Sequence, residues 1–275
     1  MGIFEGCLLA CDVDGTLISD EIFPKRNFEA IEYFKDEGGT VCLSTGRTAA
    51  ALSPIVSRYK GIGPSVVANG SMIYNVETKQ VLYRKRLTKA DKELTLEILS
   101  LYPDAGIEMH NGDRVIVINR TNESDDHENY EKIPTVFLPK ESIFDYDIEK
   151  ILFLFPNKER RASAAAFAQA KNSSCTFAYS AALISGKKRY YLEQLPNDTS
   201  KAKTLQKLID MFSFDHQKVF AIGDYYNDLE MIKSAYISAC PNTSPDEIKA
   251  AADYVVGSPQ DGAVADFIEI LKDKI

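Results

Sequence analysis

The stretch that most constrains this chain is residues 7–17, Cys-Leu-Leu-Ala-Cys-Asp-Val-Asp-Gly-Thr-Leu. Cys7 to Cys11 is a short, wholly apolar run, as a fully buried strand requires. It stops at Asp12, and a second carboxylate follows at Asp14. Open α/β sheets place their ligands at the carboxyl ends of such strands. In an extended chain Asp14 turns to the same side as Asp12. Gly15 suits a turn with unusual backbone angles, and Thr16 is placed to anchor that turn through its hydroxyl. Two close carboxylates repel, so burying both calls for a cation. Mg²⁺, a hard ion with oxygen ligands, would supply it. Asp-x-Asp-Gly also occurs as a plain acidic turn, so the reading depends on the rest of the chain.

At 275 residues the chain has room for one large domain or two moderate ones. Its 45% hydrophobic and 26% charged residues are ordinary for a globular protein with a full core. The net charge of −8 argues against a nucleic-acid partner. The five cysteines, Cys7, Cys11, Cys42, Cys175 and Cys240, form no C-x-x-C pair. They read as small buried hydrophobes in a reducing, cytoplasmic setting. Asp12 and Asp14 interrupt any signal-like apolar core, and no apolar run approaches the ~20 residues of a membrane span. No membrane partner is expected.

Helical periodicity from Lys25 to Glu37 ends at Gly38-Gly39, and Thr40–Leu43 reads as a second strand. Ser44-Thr45-Gly46-Arg47 follows it. Small hydroxyls and a glycine at a strand end bind a phosphate through hydroxyls and backbone N–H groups, or simply turn the chain into a helix. A helix near Ala49–Tyr59 and a strand at Ser65–Ala68 come next, then Asn69-Gly70 and a hairpin of Ser71–Tyr74 with Val81–Tyr83. Strand, helix, strand, helix, strand indicates a doubly wound parallel sheet, Rossmann-like in class. The character then changes. Helix Thr88–Leu101, a hairpin of Gly106–His110 with Arg114–Asn119 about Asn111-Gly112-Asp113, a polar loop Asn122–Lys132, strand Ile151–Phe155, an Ala-rich helix within Asn157–Lys171 and strands Cys175–Tyr179 and Ala182–Ser185 describe an inserted α+β module. Its edges are basic, Arg84-Lys85-Arg86 and Lys187-Lys188-Arg189. They read as solvated linkers, with a hinge pair attracting an anionic substrate as the sharper alternative.

Tyr190–Leu192 resumes a strand, and Thr199-Ser200 caps a helix over Lys201–Met211. Lys201 falls in the first turn, a poor place for a cation, which hints at a specific task. Strand Lys218–Ile222 again delivers carboxylates at its end, in Gly223-Asp224-Tyr225-Tyr226-Asn227-Asp228. Strand–helix alternation then continues to the C-terminal residues. His110, His127 and His216 are scattered without a metal-ligand spacing and read as structural or surface residues.

Taken together, the stretches at Asp12, Thr45, Lys201 and Asp224 resemble motifs I to IV of the haloacid dehalogenase-like hydrolase superfamily. Thr45-Gly46-Arg47, Ala68-Asn69-Gly70 and the lysine of Ser200-Lys201 resemble its Cof-type phosphatase subfamily, although Ala202 stands where that subfamily usually has glycine. The resemblance implies a Mg²⁺-dependent phosphatase for small-molecule phosphate monoesters, sugar phosphates or phosphorylated cofactors. By resemblance Asp12 is the nucleophile that forms an aspartyl-phosphate, and Asp14 is the general acid/base. Asp12, Asp14 (through its backbone carbonyl) and Asp224 hold the metal. Thr45, Gly46, Arg47, Lys201, Asn227 and Asn69 bind phosphate or substrate, and Thr16 and Asp228 support them. The implied division is a catalytic core of 1–84 and 190–275 with an inserted cap of 85–189 that selects the substrate. A monomer or weak homodimer is expected. A phosphotransferase or phosphomutase of the same fold, and a non-catalytic phospho-ligand sensor, are the alternatives. A dinucleotide-binding reductase would need G-x-G-x-x-G after the first strand, and Gly15-Thr16-Leu17 does not supply it.

Overall fold

The computed structural model describes residues 2–19, 22–112, 114–131, 133–171, 174–184 and 186–275. Asp113 of the expected hairpin turn, Lys132 at the end of the expected loop and Ser185 lie outside the described residues. In chain order the elements begin with β1 (Leu8–Cys11), α1 (Lys25–Asp36), β2 (Thr40–Leu43), α2 (Ser53–Val56), β3 (Pro64–Val67), β4 (Met72–Asn75) and β5 (Gln80–Arg84). The middle of the chain forms α3 (Lys89–Leu101), β6 (Gly106–Asn111), β7 (Arg114–Asn119), α4 (Asn122–Glu131), β8 (Thr135–Phe137), β9 (Lys150–Phe155), α5 (Lys158–Ala170), β10 (Thr176–Ile184) and β11 (Lys187–Leu195). The last part forms α6 (Lys201–Phe212), β12 (Val219–Ile222), α7 (Leu229–Ser234), β13 (Ile237–Pro241), α8 (Asp246–Ala251), β14 (Tyr254–Val256) and α9 (Ala263–Lys272). These elements divide into two compact units. The first comprises the chain up to Gly46, Leu52–Tyr83 and Ser200–Ile275, and the second comprises Arg47–Ala51 and Arg84–Thr199.

The first unit is built on a parallel five-stranded sheet in the order β14-β13-β12-β1-β2. Strand β1 is buried along its whole length. Leu9 and Cys11 join one core with Ile31 and Phe34 of α1 and Phe267 and Leu271 of α9. Leu8 and Ala10 join the opposite core with Leu205, Leu208 and Ile209 of α6. Alternate residues thus serve two faces, each covered by helices, which is why the strand sequence carries no polar alternation.

The expected third parallel strand departs from the regular pattern. β3 touches β2 through an isolated parallel bridge, Ser44↔Val66, and otherwise pairs antiparallel with β4 in a three-stranded sheet. The Leu43 N–H bonds the Ser65 side-chain hydroxyl at 3.1 Å, so a side chain takes the donor that a continuing ladder would use. The helix expected over Ala49–Tyr59 is a single 3₁₀ turn at Ala50–Leu52 followed by the four-residue α2. Pro54 interrupts the pattern because it has no N–H to bond the preceding turn.

The second unit is a six-stranded sheet in the order β10-β11-β9-β6-β7-β8, antiparallel except for the β7–β8 pair. Ile107, Met109, Ile151, Phe153 and Leu192 build its core together with Ile98 of α3 and Ala164, Ala165 and Ala168 of α5. The expected polar loop at Asn122–Lys132 is instead helix α4. Thr121 and Ser124 exchange capping bonds at its start, and Glu123 and Asp125 lie in the first turn, where negative charge is favoured. His127 then bonds the buried Glu108 at 3.0 Å, and Asp126 pairs with Arg189. The two short strands expected at 175–179 and 182–185 are one strand, β10, paired residue for residue with β11 from Thr176↔Leu195 to Ile184↔Lys187. That ladder overrides the weak strand preference of Ala181 and Ala182. Tyr190–Leu192, expected as a strand of the first module, lies within β11 and belongs to this second sheet because β11 pairs with β9 and β10. The first basic edge is engaged within the unit, whereas Lys187 and Lys188 of the second are exposed. Arg84 meets Glu149 at 3.0 Å, Arg86 meets Asp147 at 3.2 Å, and Lys85 donates to the Asn197 carbonyl at 2.6 Å.

Leu9→Ala would leave a cavity against α1 and α9 and is expected to lower stability by about 3 kcal/mol. Urea denaturation of the purified variant measures this.

Candidate active site

Three loops leave the parallel sheet level with one another because their strands are in step. Cys11 of β1 lies opposite Leu43 of β2 and Ile222 of β12. The next residues are Asp12, Ser44-Thr45 and Gly223-Asp224. The Asp12 N–H bonds the Ile222 carbonyl at 2.9 Å, and the Ser44 N–H bonds the Cys11 carbonyl at 2.8 Å. The ladders therefore fix the starting point of each loop.

Lys201, the first residue of α6, enters this cluster as a buried ammonium, 2% exposed. Its Nζ donates to Asp12 Oδ1 at 2.6 Å and to Asp228 Oδ1 at 2.7 Å. Asp228 is fully buried, and its Oδ2 accepts the backbone N–H groups of Asp224 at 3.2 Å and Tyr225 at 3.3 Å. It therefore ties its own loop to the lysine. Oxygens of Asp12, Asp224 and Asp228 lie within 4.8 Å of one another. Gly15 permits this closeness. It has φ +83°, and a Cβ there would stand 2.5 Å from Asp224 Oδ2.

The remaining expected residues take different places. Thr45 is buried, its N–H bonds the Val66 carbonyl at 2.9 Å, and its carbonyl accepts the Asn69 N–H at 3.0 Å. Asn69 Oδ1 accepts from Asn227 Nδ2 at 3.1 Å. A Cβ on Gly46 would come within 3.1 Å of the Asn69 side chain. Thr45, Gly46, Asn69 and Asn227 are thus one connected patch. Asp14 is exposed, and its carboxylate stands outside the three-carboxylate cluster. The Thr16 hydroxyl does not anchor the turn as expected. It has no hydrogen-bond partner among the described residues, and backbone bonds from Gly15 to Ile18 and from Leu17 and Ile18 to Val13 close the turn instead. Arg47 belongs to the second unit, where its guanidinium donates to the Ala51 carbonyl at 3.4 Å. His110 and His127 are buried and face Glu108, and His216 is bonded to Gln206 at the surface.

Sequence reasoning passes over two polar partners. Ser200 Oγ donates to Glu230 at 2.8 Å, and Thr204 Oγ1 donates to the Gly70 carbonyl at 2.6 Å. No spacing marks Glu230. Thr204 stands three residues after Lys201, on the same helix face, which is the signal that was there to read.

Crowded carboxylates change one another's proton affinity. Burial, and then the Asp228 charge, push Asp12 up to about 7 despite the lysine. Asp224 is also raised well above the usual carboxylate range, by burial first and then by Asp12 and Asp228. Burial pulls Lys201 down, but Asp12 and Asp228 outweigh it and hold the ammonium above its ordinary value. Three carboxylates against one ammonium leave two negative charges, which a divalent cation balances. An all-oxygen donor set suits a hard ion of the Mg²⁺ type. Asp12 and Asp224 are the available ligands, since both oxygens of Asp228 are already engaged.

A haloacid dehalogenase-like hydrolase family model matches residues 9–268, and the chain belongs to this family, as a Cof-type member. Among its relatives is the 5-amino-6-(5-phospho-D-ribitylamino)uracil phosphatase YwtE of Bacillus subtilis, 28% identical over 96% of this chain and 97% of the relative. Another is the pyridoxal phosphate phosphatase YbhA of Escherichia coli, 22% identical over 95% of this chain and 97% of the relative. The structure of the sugar phosphatase BT4131, of subclass IIB in the same superfamily, superposes with a TM-score of 0.83 at 16% identity, covering 97% of this chain and 99% of that one. The enzyme class is phosphoric monoester hydrolase. Among the described residues no helix is long and apolar enough to cross a membrane.

The raised Asp12 value gives a pH-dependent metal effect. An unfolded aspartate titrates near ~4, and the folded one at about 7. The folded state therefore binds the extra proton between those values, and this group's contribution to stability falls as pH rises through that window. A divalent cation would offset the loss once Asp12 is ionised. The rise in thermal midpoint on adding Mg²⁺ is expected to be larger at pH 8 than at pH 5, measured by scanning fluorimetry. The reverse order would remove Asp12 from the metal-binding set.

Proposed function

We propose that the protein is a Mg²⁺-dependent phosphatase of small-molecule phosphate monoesters that works through an aspartyl-phosphate on Asp12. The observation that carries this reading is the buried Lys201 bridge between Asp12 and Asp228, with Asp224 beside it. A phosphate ester and a carboxylate nucleophile are both anionic and repel each other. A site that already holds a buried ammonium against the nucleophile lowers that repulsion. Asp12, Asp224 and the Asp14 backbone carbonyl are the residues that would hold the metal. When bound, Mg²⁺ supplies charge neutralisation and orients the phosphoryl oxygens.

In the proposed first step an Asp12 carboxylate oxygen attacks phosphorus in line. Lys201 holds Oδ1 and so fixes the direction of the carboxylate. The bond from phosphorus to the alcohol oxygen breaks, and the Asp14 carboxylic acid gives its proton to the leaving alcohol. In the second step ionised Asp14 takes a proton from water, the resulting hydroxide attacks phosphorus, and inorganic phosphate leaves Asp12 as a free carboxylate. The exposure of Asp14 suits a group that must meet both an alcohol and a water. The patch formed by Thr45, Gly46, Asn69 and Asn227 would line the side of the site that the phosphoryl oxygens meet.

The named relatives act on a phosphorylated ribitylaminouracil and on pyridoxal phosphate. This supports a substrate panel drawn from phosphorylated cofactors, their precursors and sugar phosphates. Phosphate release from that panel is expected to require Mg²⁺ and to fall by at least about 10³-fold in Asp12→Asn, with the fold retained by circular dichroism. Release in the variant equal to wild type would sink the nucleophile assignment. Release that appears only with a second sugar alcohol present would redirect the reading to phosphotransfer.

A further inference from the structure

Ala68, Asn69 and Gly70 lie in succession in the left-handed region, with φ of 50°, 52° and 98°. Left-handed backbone at a non-glycine residue brings Cβ against the backbone and is disfavoured, and such strain persists only where surrounding contacts over-determine it. Here those contacts all lead to the active site. The Asn69 N–H holds the Thr45 carbonyl at 3.0 Å, and its side chain holds Asn227 at 3.1 Å. Gly70 packs directly on the first turn of α6, where a Cβ would collide with the Ser200 carbonyl and stand 3.1 Å from the Lys201 nitrogen. One side chain fastens the turn to that helix. Thr204, 4% exposed, donates its hydroxyl to the Gly70 carbonyl at 2.6 Å.

We propose that Thr204 is a positioning residue for the phosphoryl-transfer site, holding the strained turn Ala68–Gly70 so that Lys201, Asn227 and Thr45 stay in register with one another. The inference rests on the phosphatase reading above. Thr204 touches none of the reacting atoms. It acts through the Gly70 carbonyl, which it locks to α6 one helical turn below Lys201. Without that bond the turn is free to relax toward right-handed backbone. Asn69 then releases Asn227 and Thr45, and α6 loses the contact that sets the depth of Lys201. Misplacement of such groups by about 1 Å is worth on the order of 10²-fold in rate.

Thr204→Val keeps the shape and removes the donor, and Thr204→Ser keeps the donor. Both would be assayed beside wild type and Asp12→Asn on the best substrate of the panel, with circular dichroism and thermal midpoints recorded. Thr204→Val is expected to lose about 10- to 100-fold in kcat with KM within threefold of wild type, and Thr204→Ser to return to within threefold of wild type. Hydrogen exchange of the peptide spanning residues 66–72 is expected to quicken in Thr204→Val alone. Wild-type kcat in Thr204→Val, or no recovery in Thr204→Ser, would overturn the role while leaving the phosphatase reading intact. No Mg²⁺-dependent release from wild type itself would overturn the phosphatase reading, and this role with it.

Discussion

A buried ammonium held between two buried carboxylates is the constraint on which the first unit depends. Lys201 reaches Asp12 on one loop and Asp228 on another, and both carboxylates are buried. Removing ions from water costs several kcal/mol each, and only close geometry with further hydrogen bonds offsets it. Much of the local structure supplies that geometry. The β1–β12 register brings Asp12 level with Gly223. The loop after β12 folds so that Asp228 accepts two backbone N–H groups as well as the lysine. The position of Lys201 at a helix start is unfavourable against the helix dipole. The two carboxylates override that penalty, since direct ion contacts in a dry site exceed the interaction with partial charges at a helix end.

The same charge imbalance links folding to chemistry. Asp224 adds a third carboxylate against the single ammonium of Lys201, so the site is under electrostatic stress until a cation or a proton arrives. Sites whose groups are driven far from their ordinary proton affinity are where acid, base and nucleophile roles gather. Unlike Asp12, Asp14 lies in the open. Two carboxylates only two residues apart in the chain therefore sit in unlike environments.

How much was legible in the sequence follows from which interactions are local. The strand before Asp12 and the strand before Asp224 announce themselves as apolar runs cut off by carboxylates, so the parallel sheet and the loops at its carboxyl end were readable. Lys201 was readable as a cation in the wrong place on a helix. The resemblance implies that Asp228 supports the metal and phosphate surroundings, but its contact with Lys201 depends on a fold of the 223–228 loop that no spacing displays. β3 left the regular pattern because a single hydroxyl, on Ser65, captured a strand N–H. β10 ran through two alanines because β11 offered an unbroken partner. Helix α4 was hidden for the same reason. Its residues, Asn-Glu-Ser-Asp-Asp-His-Glu-Asn-Tyr-Glu, have no apolar stripe to read, and the groups that hold it, Glu108 and Arg189, lie on distant strands.

That helix has a consequence of its own. Helices α3 and α5 of the second unit lie on a core of Ile, Leu and Phe side chains, whose packing dissolved salt leaves alone or strengthens. Helix α4 is held by His127 on Glu108 and by Arg189 on Asp126 and Glu123. The Asp126 end of the Arg189 pair is partly exposed, and ion pairs near a surface are screened over about 10 Å at 0.1 M ionic strength, buried ones much less. The helices packed on one sheet therefore answer to different solvents. Heat and denaturant find the apolar core, whereas ionic strength reaches α4 through the outer end of its clasp.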